Sequence, residues 1–232
     1  MPSIFLLLQK PNQNIFVRKP LTIIFLVLFI DQLIKLYVKT NFFLGEEAHI
    51  AGNWFIIHFT ENNGMAYGIE FGGNFGKLFL SMFRIIFVIG IAFYLWKQTK
   101  ENGDPLYITC IALIFSGAVG NIIDSVFYGV IFSDSNYEVA RFLPEEGGYS
   151  SFLHGKVVDM FYFPVIEGHF PIWFPFWGSE EFIFFRPVFN FADASISIGV
   201  AMILLFQKRF FDEKEKVVGE EPSILIPENK EI

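Results

Sequence analysis

The chain has 232 residues, of which 53% are hydrophobic and 32 are Phe, with a mean hydropathy of +0.46; an ordinary soluble domain of this size is less apolar and less aromatic, so the composition indicates an integral membrane protein. The net charge of −7 comes without a basic stripe that could neutralise a phosphate backbone, which excludes a nucleic-acid partner. A single cysteine, Cys110, excludes an internal disulfide framework and, set in an apolar run, reads as a small buried hydrophobe.

Four runs approach the roughly 20 residues a helix needs to cross the hydrocarbon. The first, "LTIIFLVLFIDQLIKLYV", covers about 20–38. No small-residue cleavage site follows it, and Asp31 and Lys35 interrupt its end, so it is a retained span. These two are four apart with the acid first, the favourable order for a helical ion pair. The loop 39–76 contains "NWFIIHFTENNGMAYGIEFGG". Its "WFIIHFT" suits a strand and its "ENNG" a turn, so a small sheet on the outer surface is expected. Asn62 is placed to offer its amide to a peptide backbone, with simple turn chemistry as the competing reading.

The second span, "KLFLSMFRIIFVIGIAFYLW", covers about 77–96, and the third, "LYITCIALIFSGAVGNIIDSVFY", about 106–128. On the third, Gly117, Asn121 and Asp124 share one helical face. The loop 129–187 follows, and in it "VVDMFYFPV" sets Asp159 inside an apolar, aromatic run. The continuation, "MFYFPVIEGHFPIWFPFWGSEEFIFF", is dense in Phe and Trp and broken by Pro. It is too interrupted to span and suits an interfacial element at headgroup level. The fourth span, "VFNFADASISIGVAMILLFQ", covers about 188–207 and puts Asn190, Asp193 and Ser197 on one face. A polar cytoplasmic tail is expected over 211–232, leaving 1–210 as a single four-span domain.

Basic residues set the orientation. Arg18 and Lys19, Lys97 and Lys100, and Lys208, Arg209, Lys214 and Lys216 all fall on one side of a four-span arrangement. That side is the cytoplasm, and both termini lie there. Asp31 and Asp124 then come late in outward-running spans, while Asn190 and Asp193 come early in an inward-running one. The polar groups gather at the outer boundary of the membrane, which favours one interfacial site over an ion pathway through the full thickness.

Several chemistries find no support. His49, His58, His154 and His169 are scattered without a zinc-binding pair, so no metal is expected. No nucleophile elbow and no phosphate loop appears, and no serine stands out beside Lys35 or Lys156. What remains is paired carboxylates, Asp31, Asp124, Asp159 and Asp193, each costly in an apolar run unless paired, wetted or protonated. Two aspartates sharing one proton can act as general base and general acid on water, with a peptide bond as a natural target. The residues leave two classes open: a membrane aspartic peptidase, or a non-enzymatic transporter or lipid- or peptide-binding assembly factor. A single depth for the polar groups and the lack of a repeated half favour the first.

The order of these segments resembles the lipoprotein signal peptidase family, bacterial signal peptidase II. The resemblance rests on "DQLIK" (31–35), "NNGMAYG" (62–68), "GAVGNIID" (117–124), "VVDM" (157–160) and "FNFADASI" (189–196). It implies four membrane helices with a small extracytoplasmic sheet. It also implies removal of the signal peptide from a diacylglyceryl-modified prolipoprotein, just before the lipidated cysteine, at the outer face of the bacterial inner membrane. Asp159 and Asp193 match the family's catalytic aspartates. Asp31, Lys35, Asn62, Gly64, Asn121, Asp124 and Asn190 match positions that shape or support the site. Asp124, a competing catalytic partner by residue type alone, is thereby assigned a supporting role. No cofactor is implied; the partners are the lipidated substrate and membrane lipids, and a monomer suffices. Two departures stand out: Ser125 and Glu61 occupy positions where the family commonly has Arg. The spacers 131–154 and 164–187 are also longer than usual for it, and the second is expected to form a lid or membrane-resting flap.

Overall fold

The computed structural model describes residues 13–63, 73–164, 166–169, 172–173, 175, 181–184 and 187–211. Gly64 and the tail beyond Phe211 lie outside the described residues.

Among the described residues, three helices are long and apolar enough to cross a membrane: α1 (Gln13–Asn41), α2 (Gly73–Lys100) and α3 (Pro105–Ile123), the last continuing helically to Ile131. A fourth, α4 (Phe191–Leu205), is apolar but only 15 residues long, followed at 207–211 by one more helical stretch. It starts later than the sequence pattern suggests. Asn190 is its N-cap rather than a member of its face, because the Asn190 side chain accepts the Asp193 N–H at 2.9 Å. Ser197, expected beside it, is exposed.

α3 is the central helix, packed by α1, α2 and α4. The lipid-facing sides of α1 and α2 carry exposed Phe25, Phe29, Leu33, Phe79, Phe83 and Ile86. Small residues let α3 and α4 approach closely, as helix pairs in lipid require. A Cβ on Gly117 would lie 2.3 Å from the Ala192 carbonyl oxygen, and one on Gly199 2.8 Å from that of Cys110. Ser195 Oγ also donates to the Leu113 carbonyl across this seam, at 3.0 Å. Gly117→Ala is expected to force the helices apart and to cost about 1–3 kcal/mol, read as a lowered unfolding midpoint in detergent. An unchanged midpoint would mean that the seam tolerates separation.

The end of α3 is a π-helical segment, Asp124–Tyr128. Widening the turn leaves carbonyls without their usual i+4 donors, and the end of the spacer 131–154, with Gly155 just after it, supplies donors instead. Gly155 N–H donates to Ser125 O at 2.8 Å, Leu153 N–H to Val126 O at 3.2 Å and Ser150 N–H to Gly129 O at 2.8 Å. Only glycine fits at 155, where a Cβ would stand 2.1 Å from the Asp124 carbonyl oxygen. This long spacer is therefore a cap on α3 rather than a free appendage.

A three-stranded antiparallel sheet, ordered β1 (Glu47–Ala51), β2 (Phe55–Asn62) and β3 (Val157–Tyr162), covers the same end. Its register sets Thr60 opposite Asp159 and Asn62 opposite Val157. Strand alternation sends Val158 and Met160 into a core with Val38, Phe59, Tyr128 and Phe132. Asp159 therefore faces the other way. The aromatic spacer holds a two-stranded hairpin, β4 (Ile166–His169) with β5 (Glu181–Phe184). Beside it, the Phe163 ring stacks on Phe55 at 4.8 Å and on Phe189 at 5.8 Å, while Trp54 and Trp173 remain exposed.

Candidate active site

Asp159 reaches the site because β3 carries it there and the chain just before α4 closes over it. Phe189 exchanges backbone hydrogen bonds with Phe161 at 2.7 and 3.1 Å, which lays Asn190 alongside Asp159. Asn190 Nδ2 then donates to Asp159 Oδ1 at 2.7 Å. Its other hydrogen goes to Asn121 Oδ1 at 3.0 Å, and Asn121 Nδ2 donates to Asp193 Oδ1 at 2.7 Å. Two asparagines from two elements thus link the two aspartates through one continuous chain of hydrogen bonds. Each amide is fixed in orientation because its oxygen and nitrogen have different partners. Asp193 also belongs to a capping box, its Oδ2 accepting the Asn190 N–H at 3.4 Å.

A second layer lies beneath. Lys35, with no exposure, bridges Asp31 at 3.0 Å and Asp124 at 2.8 Å, both equally buried. It also donates to Asn121 Oδ1 at 2.9 Å. Gln32, which the sequence reading passed over although it stands in "DQLIK", donates to Asp124 Oδ1 at 3.0 Å and accepts from Tyr128 Oη at 3.2 Å. The carboxylates also hold backbone: Asp31 Oδ1 accepts the Ala192 N–H at 2.9 Å, and Asp124 Oδ2, the oxygen that pairs with Lys35, accepts the Val158 N–H at 3.2 Å. The first satisfies an N–H at the start of α4, where a negative charge is favoured. The second ties the sheet to α3. Lys35 therefore offsets the charge of Asp31 and Asp124 from between them, and the three fix the elements that carry Asn121, Asp159, Asn190 and Asp193.

Asp159 is protonated more readily than an ordinary carboxyl. Burial, and after it the negative charge of Asp193, pushes its pKa up to about 7, against the Asn190 hydrogen bond and the Lys35 charge.

Glu61 has its own partners. It pairs with the fully buried Lys39, and with Lys156 at 3.3 Å. Lys39 also donates to Ser135 Oγ at 2.7 Å and lies 4.8 Å from the centre of the Tyr149 ring. An acid at 61 thus locks the sheet to the 131–154 spacer. Ser125 is buried and donates to the Asn121 carbonyl at 3.0 Å, without a charge. Among the described residues no group of acids, histidines or cysteines has the arrangement of a metal site. Asn62 ends β2 at the border of the described residues, which leaves the turn expected after it untested.

This constellation lies at one end of a bundle with a small sheet over it, and residues 23–209 match the family model described as signal peptidase (SPase) II. The chain belongs to the signal peptidase II family. It is 53% identical over 189 residues to a lipoprotein signal peptidase of Porphyromonas gingivalis, covering 81% of each chain. It is 39% identical over 183 residues to one of Amoebophilus asiaticus, covering 78% of this chain and 73% of that one. The fold is similar to a bacterial membrane enzyme solved by the in meso method at 2.3 Å, with a TM-score of 0.55 and 23% identity, over 90% of this chain and 96% of that one. As a signal peptidase II, the chain is a membrane protease, and the transporter or assembly-factor reading is set aside.

Proposed function

We propose that the protein removes signal peptides from diacylglyceryl-modified prolipoproteins, cutting before the lipidated cysteine, with Asp159 and Asp193 as its catalytic pair. The observation that carries this reading is the asparagine-linked pairing of two carboxyls from different elements, one of them easily protonated. The Asp193 carboxylate takes a proton from water as the water oxygen attacks the scissile carbonyl carbon. Asp159 gives its proton to the carbonyl oxygen. The tetrahedral intermediate collapses when Asp193 passes its proton to the amine nitrogen, the C–N bond breaks, and Asp159 recovers a proton from the hydroxyl. This sequence needs no metal or cofactor.

By this reading the site faces the outer side of the inner membrane and both termini face the cytoplasm. The acyl chains enter sideways from the lipid, and the exposed aromatics Trp54 and Trp173 rest at headgroup level. Residues 1–210 act as one unit, and a monomer suffices because one chain carries both aspartates. Asp31, Lys35, Asn62, Gly64, Asn121, Asp124 and Asn190 support or shape the site.

The test is cleavage by the purified protein in detergent, with EDTA present, of a diacylglyceryl-modified prolipoprotein and of the same precursor without lipid. The expected product, read by mass spectrometry, begins at the lipidated cysteine and forms only from the lipidated precursor. Equal cutting of both precursors, or activity lost with EDTA, overturns the reading. Because Asp159 must hold a proton to serve as the acid, kcat/KM is expected to fall as the pH rises through about 7, where that proton is lost. A profile that keeps rising well above that pH would reverse the two roles.

A further inference from the structure

α1 and α2 both rest on α3, and at one level a gap opens between them. It is a cavity of about 630 Å³. Leu21 and Ile24 of α1 form one wall, Ala92 and Leu95 of α2 the other, and Phe115 of α3 also lines it. Leu21 remains exposed, so the slot opens sideways toward lipid. Pro20, at its edge, comes 11 residues before Asp31, which is about 16 Å along a helix. The cavity also reaches Asn102, in the turn between α2 and α3, at the other end of α3 from Asp124. It therefore belongs to the end of the bundle opposite the aspartate pair.

The part of the lining nearest that turn is polar. Thr99, Lys100 and Asn102 line it there, beside the exposed Trp96. Lys100 Nζ lies 4.4 Å from the centre of the Trp96 ring, a cation–π contact that holds the ammonium at the rim. Among the described residues Lys100 has no carboxylate partner, whereas Lys97 pairs with Glu101 at 3.9 Å and Arg209 with Asp104 at 2.7 Å. Arg209 and Lys19 line a second, smaller cavity of about 340 Å³ that also touches Pro20, but there the guanidinium already has its acid. The larger cavity joins an apolar slot to a cation that lacks one.

We propose that this cavity binds one anionic phospholipid, with an acyl chain between α1 and α2 and the phosphate against Lys100 and the Asn102 amide. Apolar area alone gives little selectivity in a bilayer, because lipid tails are as apolar as leucine. Selection therefore comes from the headgroup. A phospholipid without a headgroup cation brings a net negative charge to Lys100, as anionic lipids do to basic pockets between membrane helices. A choline lipid brings its own ammonium, which competes with Lys100 for the Trp96 face and cancels the phosphate charge. The site stands apart from the catalytic reading; in the proposed orientation it opens to the inner leaflet.

The test uses the full chain in nanodiscs of equal parts phosphatidylglycerol and phosphatidylcholine, so that both ends meet both lipids whatever the orientation. Native mass spectrometry reads the lipid that stays bound after release from the disc. Wild type is expected to keep one phosphatidylglycerol, preferred about five-fold over phosphatidylcholine. Lys100→Gln should bring that preference close to one, while Lys97→Gln should leave it unchanged. Ala92→Trp, which fills the slot, should abolish retention of either lipid. Equal retention of the two lipids by wild type overturns the proposal. So do equal losses of preference in Lys100→Gln and Lys97→Gln, which would mark a diffuse surface charge, and phosphatidylglycerol kept by Ala92→Trp, which would place the lipid elsewhere. If Ala92→Trp does not fold, Leu21→Trp fills the slot from the other wall. A second readout stays in solution: phosphatidylglycerol should raise the unfolding temperature of wild type and Lys97→Gln more than phosphatidylcholine does, and that of Lys100→Gln no more. Displacement of the lipid by one equivalent of a synthetic apolar signal-peptide segment would give the slot to a peptide and overturn the proposal.

Discussion

Asp159→Asn and Asp193→Asn are each expected to lower kcat for prolipoprotein cleavage by about 10³-fold or more while the protein stays folded, since a positioned acid or base contributes roughly 10²–10⁴ and neither role survives in an amide. Asparagine keeps the shape and can keep a hydrogen bond to Asn190 or Asn121, but it carries no transferable proton. Because the two carboxyls act as a unit, the double variant should be scarcely slower than either single one. Asp124→Asn is the informative control. Its carboxylate is occupied by Lys35, Gln32 and the Val158 N–H, so its loss should lower stability more than the chemical step. The measurement is single-turnover cleavage beside a thermal unfolding curve for each variant. An Asp193→Asn that cuts normally beside an Asp124→Asn that folds and does not cut would move the pair to Asp159 and Asp124.

Lys35→Met is expected to be the most damaging change to the fold, by about 3–5 kcal/mol, because removing one member of a buried ion pair strands the other charge. Here it would strand two, Asp31 and Asp124, neither with any exposure. The same carboxylates hold the start of α4 through the Ala192 N–H and the middle of β3 through the Val158 N–H. Activity should therefore fall along with stability. The triple variant Asp31→Asn, Lys35→Met, Asp124→Asn, which removes every charge of the cluster, should recover much of the loss, since neutral replacement of a buried ion cluster is often close to stability-neutral. Chemical unfolding in mild detergent checks both. A Lys35→Met protein as stable as wild type would mean that water or a proton already compensates these acids.

The two cases mark where sequence reasoning was sufficient and where it stopped. Spans, strand and polar residues were legible because each leaves a local mark. A membrane helix must be apolar for about 20 residues, a half-buried strand alternates, and an aspartate in an apolar run stands out by its cost. The Asp31–Lys35 pair was legible for the same reason, as both partners lie on one turn-and-a-bit of helix. The start of α4 was harder, since the apolar pattern runs back past Asn190 and only the cap geometry ends it there.

By itself, then, the sequence determined the membrane class, the approximate positions of the helices, the strand "WFIIHFT", and the set of aspartates and asparagines from which a site can be made. Only the tertiary structure decided how these combine. It assigned Lys35 to both Asp31 and Asp124, linked Asp159 to Asp193 through Asn190 and Asn121, and gave Glu61 its partners in Lys39 and Lys156. It also made the 131–154 spacer a cap on the π turn. The physical reason is range. Periodicity and hydropathy are set by neighbours within a few residues, whereas these contacts join groups that are 69 residues apart for Asn121 and Asn190 and 161 for Asp31 and Ala192. Such pairings exist only once the helices have packed and left each buried charge one way to be satisfied.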